Sequence, residues 1–214
     1  MVYVLPNSLR SPVLNREGST FEEMVADCSV AVLVDRWSVR LNIHHPATYQ
    51  HSLRVCNYLS EVAESVDFAP LTCFDVMQMG ILHDVGKLAV PRELLNSKSL
   101  TVEEFERVKV HTLVGYLLLQ GKFPFAACAA GKHHPAYAVS FYPSCLSVEQ
   151  RKAVDRVIPL LTLCDFYDAL VTRETGAFLE IDRQDQKQVR SLLNQRFFGY
   201  KDVVDVLMRH FEGR

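Results

Sequence analysis

One pattern recurs before the apolar segments of this sequence: a threonine or serine followed three residues later by an acidic residue or glutamine. It occurs four times, at Thr20 and Glu23, Thr72 and Asp75, Thr101 and Glu104, and Ser147 and Gln150. In such a capping box, the two side chains satisfy free backbone N–H groups at the start of a helix. No segment alternates apolar and polar residues in the manner of a half-buried strand. The sequence therefore predicts an all-α fold.

The same signals predict where the helices lie. Proline is favoured in the first turn of a helix, and Pro46, Pro91 and Pro124 precede or open apolar segments. Pro159 predicts a kink inside a long helix, and Gly86 is expected to end its helix in the left-handed conformation. We expect residues 1–20 to be an N-terminal extension and residues 21–214 to be one domain. The predicted helices cover about 21–41, 48–66, 73–84, 91–95, 101–120, 124–134, 147–172, 184–197 and 200–212.

Composition narrows the classes of function. The chain is 49% hydrophobic, which is enough to bury a sizeable core. A net charge of -2 gives no global reason to bind duplex nucleic acid or an acidic membrane. We expect no membrane span, because no apolar run approaches the roughly 18 residues required, and residues 1–20 lack the apolar core of a signal peptide. Six scattered cysteines without a CxxC pair favour a reducing cytoplasm.

The heptapeptide Ile81-Leu82-His83-Asp84-Val85-Gly86-Lys87 ends one of the predicted helices. It puts an imidazole, a carboxylate and an ammonium group within five positions. Imidazole and carboxylate suit a divalent metal ion, and lysine adds a positive point charge. The same residues also fit a polar helix end, so the rest of the chain has to decide between the two interpretations.

Four other predicted helices carry similar groups on or beside their apolar faces. His51 shares a face with Val55 and Leu59, and His111 shares one with Val108 and Leu118. Independent core histidines and separately paired aspartates would need five local explanations, whereas one pair of metal ions explains the whole set. Two adjacent divalent ions, bridged by one carboxylate, are therefore predicted. The candidate ligands are His51, His83, Asp84, His111, His133, His134 and Asp165.

The order H…HD…H…HH…D resembles the HD superfamily of metal-dependent phosphohydrolases, and more narrowly its HD-GYP branch. Residues 81–119, ILHDVGKLAVPRELLNSKSLTVEEFERVKVHTLVGYLLL, are similar to that branch's core motif, and HSLRV and LTLCDFYDAL are similar to its flanking motifs. The resemblance implies an all-α HD-domain helical bundle with a metal centre between core helices. It implies the seven ligands above, a bridging Asp84 and an active-site Lys87. It also implies iron or manganese and hydrolysis of cyclic di-GMP.

The chain departs from the branch in the segments that hold substrate. The family's HHE-x-x-DGxGYP loop is His133-His134-Pro135-Ala136-Tyr137-Ala138-Val139-Ser140-Phe141-Tyr142-Pro143 here, so only Tyr142-Pro143 remains of the signature triplet. Valine and phenylalanine replace two glycines, which predicts a different path for this loop. The phosphate-binding arginine expected after Leu170 is absent, and Arg173 is its candidate substitute. Tyr142, Arg173 and Lys87 are the predicted substrate-binding residues. Ala47 stands where some members carry a third-metal glutamate, so two metals are predicted.

Three hypotheses of function follow. The first is a metal-dependent phosphodiesterase that acts on cyclic di-GMP, with Asp84 and Lys87 as catalytic residues. The second is a metal-binding but catalytically silent signalling or interaction module. The third is a hydrolase of another nucleotide phosphate. A homodimer or a signalling protein partner is compatible with each of them.

Overall fold

The structure, a computed structural model, describes Val34, residues 36–64, 66–172, Asp182 and residues 185–212. These residues form helices and turns without a strand, which confirms the all-α fold class. The capping box at Thr20 and Glu23, most of the predicted helix over 21–41 and the extension over 1–20 lie outside the described residues. Residues 36–44 are helical and are called α1.

The other helices follow in the predicted order. Two short 3-10 helices, Val85–Ala89 and Pro135–Tyr137, lie between α-helices. The α-helices are α2 (Pro46–Ala63), α3 (Cys73–Leu82), α4 (Arg92–Leu95), α5 (Val102–Lys109), α6 (His111–Leu119), α7 (Pro124–Lys132), α8 (Val148–Thr172), α9 (Gln186–Arg196) and α10 (Lys201–Glu212).

The three capping boxes within the described residues are formed. Thr72 and Asp75 cap α3 reciprocally, and Thr101 and Glu104 cap α5. At α8, the N–H of Gln150 donates to the Ser147 hydroxyl at 3.2 Å, and the Ser147 N–H donates to the Gln150 side chain at 2.9 Å. These helix starts are therefore set by local sequence.

The prediction of one continuous helix over residues 101–120 is wrong. The chain forms α5 and α6 with Val110 between them. Val110 keeps helical dihedral angles, φ -57° and ψ -21°, so neither a glycine nor a proline marks the break. The break makes His111 the first residue of α6.

The core lies where α2 and α7 meet their neighbours. Helix α2 packs against α3 and α8, and α7 packs against α3, α6 and α8. The larger hydrophobic cluster joins α2, α3 and α8 to the two last helices, with Leu59, Met79 and Tyr167 among its members. A smaller cluster forms around α6 and α7, and Val34 and Trp37 pack against it.

Two glycines allow helices to approach closely around the His83-Asp84 segment. A Cβ atom on Gly80 would lie 2.7 Å from the Cα of Cys56 in α2. A Cβ atom on Gly86 would lie 1.9 Å from the carbonyl oxygen of His111. Gly86 does not adopt a positive φ, so the predicted left-handed helix end is wrong. Its role is to let the segment after α3 contact the start of α6.

Candidate metal centre

All seven predicted ligands meet in one region between five helical elements. His51 comes from the middle of α2, and His111 opens α6. The remaining residues follow α3, follow α7 or lie in α8, and they are His83, Asp84, His133, His134 and Asp165. Six of the seven are buried, and the side chain of His134 is 30% exposed.

The nitrogen and oxygen atoms of these residues form two sets of three. His51, His83 and Asp84 make up the first set, and His111, His133 and His134 make up the second. Within each set, one potential ligand atom from every residue lies within 4.8 Å of the others. The geometry therefore has room for two neighbouring cations.

Asp84 faces both sets, one with each carboxylate oxygen. Its Oδ2 atom lies 3.7 Å from His51 Nε2 and 3.5 Å from His83 Nε2. Its Oδ1 atom lies 3.5 Å from His111 Nε2 and 3.7 Å from His133 Nε2. This is the arrangement that a bridging carboxylate requires.

The two carboxylate oxygens of Asp165 also face different histidine sets. Its Oδ1 atom lies 3.0 Å from His51 Nε2 and 4.0 Å from His83 Nε2. Its Oδ2 atom lies 3.9 Å from His134 Nδ1. The sequence-based interpretation assigned a bridge to one carboxylate only, whereas two carboxylates lie between the two sets.

Backbone carbonyls fix the tautomer of three histidines. His83 Nδ1 donates to Gly80 O at 2.7 Å, and His111 Nδ1 donates to Val108 O at 2.7 Å. His133 Nδ1 donates to the carbonyls of residues 129 and 130, both at 3.0 Å. Because a carbonyl only accepts, each Nδ1 carries the proton and each Nε2 of the neutral ring keeps its lone pair. Such outer contacts orient histidines toward metals in known metal sites.

Several buried polar atoms in this region fit a cation and little else. His83 Nε2 and Asp84 Oδ1 are buried without a hydrogen-bond partner. The Nε2 atoms of His111 and His133 face each other at 3.4 Å, although both Nδ1 atoms already carry the protons. Unpartnered buried acceptors are destabilising, and a shared divalent ion would satisfy them. The donor set therefore fits a pair of metal ions.

Burial and charge keep most of these groups in the protonation states that bind metals. Burial lowers the pKa of His111 to about 4 and the pKa values of His133 and His134 to about 3. Burial alone would raise the pKa of Asp84, but Lys87 and the surrounding histidines lower it well below its usual range. Neutral imidazole and ionised carboxylate are the forms that coordinate metals.

His51 is held by a residue that the sequence-based interpretation did not assign to the site. Its Nδ1 atom donates to Asp168 Oδ2 at 2.7 Å. Arg54 donates to the same carboxylate, from Nε to Oδ1 at 2.7 Å and from Nη2 to Oδ2 at 2.9 Å. Burial opposes a charge on His51, but hydrogen bonds with Asp165 and Asp168 raise its pKa. The sequence does offer a signal for these two residues. Arg54 follows His51 by three residues and Asp168 follows Asp165 by three, so each pair lies on one face of its helix.

Lys87 lies in the first 3-10 helix, and its ammonium group reaches the centre. Its Nζ atom donates to Asp84 Oδ2 at 2.5 Å, and its side chain is 12% exposed. It also lines a cleft of about 1120 Å³ that opens beside the centre. A fixed positive charge therefore stands between the candidate metal ligands and solvent.

The other two predicted substrate-binding residues are not brought to the centre by any described contact. The Tyr142 hydroxyl donates to Asp155, and the Lys132 ammonium lies 4.0 Å from the Tyr142 ring centroid. Arg173 lies outside the described residues. Between His134 and Tyr142, the chain forms a 3-10 helix and then buries Val139, whose N–H donates to Gly131 O at 2.7 Å.

The fold and the site define an all-helical domain with a candidate dinuclear metal centre. A family model described as HD domain matches residues 48–170, which is more than half of the chain. The chain belongs to the HD domain family, as its sequence motifs predict.

Curated relatives carry names of cyclic dinucleotide phosphodiesterases. A cyclic di-GMP phosphodiesterase of Thermotoga maritima is 29% identical over 180 residues, covering 76% of this chain and 47% of the relative. One of Pseudomonas aeruginosa is 31% identical over 138 residues, covering 63% and 33%. A 3'3'-cGAMP-specific phosphodiesterase of Vibrio cholerae is 27% identical over 161 residues, covering 73% and 34%. The chain thus spans less than half the length of these three relatives. In the described part of the chain, no helix combines the length and apolarity of a membrane span.

Proposed function

We propose that this chain is a metal-dependent phosphodiesterase that hydrolyses cyclic dinucleotides at a dinuclear centre. The observation that carries this proposal is the position of Asp84, whose two oxygens face two separate histidine sets. The names of the relatives support a cyclic dinucleotide as substrate, with cyclic di-GMP and 3'3'-cGAMP as the two candidates.

In this proposal, each residue of the centre has a defined task. His51 and His83 would hold one ion, and His111, His133 and His134 would hold the other. Asp84 and Asp165 face both histidine sets, so they would supply negative charge that offsets the repulsion between two cations. A pair of divalent ions, when bound, lowers the pKa of a water molecule and neutralises phosphate charge.

Lys87 and Asp84 are the proposed catalytic residues of the chain itself. The Lys87 ammonium is fixed by Asp84 and lines the cleft, so it can stabilise the negative charge that develops on a phosphate there. We propose iron or manganese on the resemblance to the HD-GYP branch; imidazole and carboxylate ligands are compatible with both ions.

We also propose the reducing cytoplasm as its location. The five cysteines within the described residues carry free thiols, which is consistent with that compartment. A homodimer or a signalling protein partner is proposed on the sequence resemblance alone.

A second candidate function is a metal-loaded module that binds a nucleotide or a protein without turnover. The observation that favours it is the packing of the loop after α7. Val139 is buried there and Tyr142 is bonded to Asp155, so the remnant of the family signature is engaged in internal contacts. Hydrolysis of another nucleotide phosphate would use the same centre with different specificity loops.

The deciding experiment compares wild type with Asp84→Asn after reconstitution with iron or manganese. Metal content is measured together with turnover of cyclic di-GMP, 3'3'-cGAMP and the linear dinucleotides. We expect two ions per wild-type chain, and turnover at least about 100-fold lower in the variant. Wild type that holds two ions and releases no product from any of these compounds would overturn the proposed activity and favour the silent module.

A further inference from the structure

We propose that Arg54 is an anion-binding residue of the cleft and holds the second, non-scissile phosphate of a dinucleotide. This inference rests on the proposed function for the identity of the ligand. Arg54 pairs with Asp168 in the packed structure. Its geometry leaves part of its guanidinium group available for a ligand.

Among the described residues, only one edge of the guanidinium group is engaged. Nε and Nη2 donate to the two oxygens of Asp168, whose side chain is 1% exposed. No described residue accepts a hydrogen bond from Nη1, and the Arg54 side chain as a whole is 37% exposed. A guanidinium group fixed on one edge presents its remaining N–H donors in a defined direction, which suits recognition of a phosphate.

Arg54 lines the same cleft as His51 and Lys87. It lies one helical turn after His51, and the Asp168 carboxylate joins the two side chains by hydrogen bonds. One carboxylate and one imidazole ring therefore separate its guanidinium group from the metal-facing Nε2 of His51. An anion bound to Nη1 would be a neighbour of the centre without occupying it. A dinucleotide with two phosphates can meet both positions at once, whereas a substrate with one phosphate cannot.

The charge and the size of the cleft favour such a ligand. The described residues that line it include three cations, Arg54, Lys87 and Lys98, and one carboxylate, Asp168. That carboxylate is already paired with Arg54, and Lys87 is paired with Asp84. The volume of about 1120 Å³ lies slightly above the usual range of small-molecule sites and exceeds what one phosphate group needs.

One wall of the cleft comes from the segment 94–100 and α5, and this segment follows residues that are held to the junction of α1 and α2 by hydrogen bonds. His44 Nε2 donates to Val90 O at 2.9 Å, and Arg92 Nη2 donates to Ile43 O at 3.0 Å. The wall itself carries apolar and amide side chains, including Leu95, Asn96 and Phe105. Such a surface suits the nucleoside part of a ligand while Arg54 holds its phosphate.

The test measures binding rather than turnover. Metal-loaded wild type, Arg54→Lys and Arg54→Gln are titrated by calorimetry with a hydrolysis-resistant phosphorothioate analogue of cyclic di-GMP, and separately with inorganic phosphate. Arg54→Lys keeps a positive charge for Asp168 but removes the Nη1 donors that are proposed to bind the phosphate. We expect both variants to bind the dinucleotide at least about tenfold more weakly, because a charge-assisted hydrogen bond is lost. Their affinity for inorganic phosphate and their metal content should stay at the wild-type values.

Arg190→Gln is the matched control, because Arg190 also pairs with a carboxylate and its side chain is 38% exposed. This control should leave both affinities unchanged. Unchanged dinucleotide binding in the two Arg54 variants would overturn the inference, as would a wild type that does not bind the analogue. An equal loss for dinucleotide and inorganic phosphate would also overturn it, because no second phosphate position would then distinguish the two ligands. Tight, Arg54-dependent binding of the analogue by a protein that does not turn over cyclic di-GMP or 3'3'-cGAMP would refute the proposed activity and leave this inference standing.

Discussion

Asp168 is the residue on which the orientation of one side of the centre depends. It accepts hydrogen bonds from His51 and Arg54, and its position in α8 puts it one turn after Asp165. Carboxylates that hold metal-binding histidines increase ligand basicity and fix the ring. Asp168 is therefore a positioning residue for His51 and is not itself one of the seven candidate ligands.

Asp168→Asn is expected to weaken metal binding at the set formed by His51, His83 and Asp84. The amide removes the negative charge that holds His51 Nδ1, and it offers only one acceptor to Arg54 and His51. Loss of such an outer contact lowers metal affinity by about 10–100-fold. The measurement is a competition titration with a chelator that resolves two binding steps, and only the step at this set should shift.

Asp155→Asn is the control for this substitution, because Asp155 is an aspartate of the same helix whose recorded partner is Tyr142. It should leave both binding steps at their wild-type positions. Equal shifts in the two variants would contradict a specific role of Asp168.

Sequence reasoning at this scale finds the candidate ligands more readily than the residues that hold them. Histidines and aspartates on apolar faces are conspicuous, because burying them needs an explanation. Arg54 and Asp168 are less conspicuous, since an arginine one turn after a histidine is also compatible with a solvent-exposed side chain. Their pairing spans 114 positions of sequence and appears only when α2 and α8 pack together.

At the scale of helices, the contact between Gly86 and α6 brings the two histidine sets together. A Cβ atom at residue 86 would lie 1.9 Å from His111 O and 2.5 Å from Gly115 N. Both of these are backbone atoms, so no side-chain rotation relieves the overlap. The 3-10 helix that carries Lys87 would have to move away from α6.

Gly86→Ala is therefore expected to lower the free energy of unfolding by at least about 2 kcal/mol, as overpacking against a rigid backbone does. Gly121→Ala is the matched substitution, because a Cβ atom there meets nothing within 4 Å. Urea denaturation of the two variants checks this expectation. A stability of Gly86→Ala equal to that of Gly121→Ala would show that the close approach is not required.

His45 also acts at the scale of helices, because it caps α2, the helix that carries His51. Its Nδ1 atom accepts from the Thr48 N–H at 3.2 Å, so the neutral ring is the form that caps α2. Its Nε2 atom donates to the Asn96 side chain at 3.3 Å. Burial lowers the pKa of His45 below its ordinary value of 6.5. The hydrogen bond to Asn96 raises this pKa, and the nearby charges of Lys87, His44 and Arg92 lower it further.

The sign of the resulting pH dependence follows from this lowered pKa. Below about pH 6.5 the unfolded chain takes up a proton at His45 before the folded chain does, so stability falls as the pH falls. His45→Asn keeps a capping side chain that does not titrate. We expect the variant to match wild type at pH 7.5 and to lose about 1 kcal/mol less stability between pH 7.5 and 5. Parallel stability curves for the two proteins over this range would contradict the assignment.

The break at Val110 marks the limit of element prediction from this sequence. Apolar spacing continues from α5 into α6, and Val110 itself has helical dihedral angles, so the pattern predicts one helix. The break coincides with a tertiary contact, because the carbonyl oxygen of His111, the first residue of α6, lies against Gly86. Helix starts with a capping box were predicted correctly within the described residues, because that signal is local.

For the whole molecule, the fold class and the family are predictable from the sequence. The capping boxes that indicate helices recur along the chain, and the candidate ligands that indicate the family follow a fixed order in it. The cleft is not predictable in this way, since its walls come from α2, α8 and the segment 94–100, which are distant in sequence. The path of the loop after α7 was predicted to be altered, but the burial of Val139 against Gly131 depends on the packed structure.

The centre also joins the elements of the molecule, because its ligands come from α2, α6, α8 and the segments after α3 and α7. Metal ions that bind the folded chain and not the unfolded chain stabilise the fold by about 2.7 kcal/mol at a free concentration 100 times Kd. For a chain of this size, the corresponding fall in Tm on chelation is roughly 5–10 °C. Thermal unfolding of reconstituted protein, before and after a chelator is added, measures this shift. Asp84→Asn should show a clearly smaller shift on chelation, because it lacks one of the two carboxylates that face both histidine sets. An unchanged Tm in wild type would contradict a structural contribution of the metals, and an equal shift in Asp84→Asn would assign the stabilisation to ions bound elsewhere.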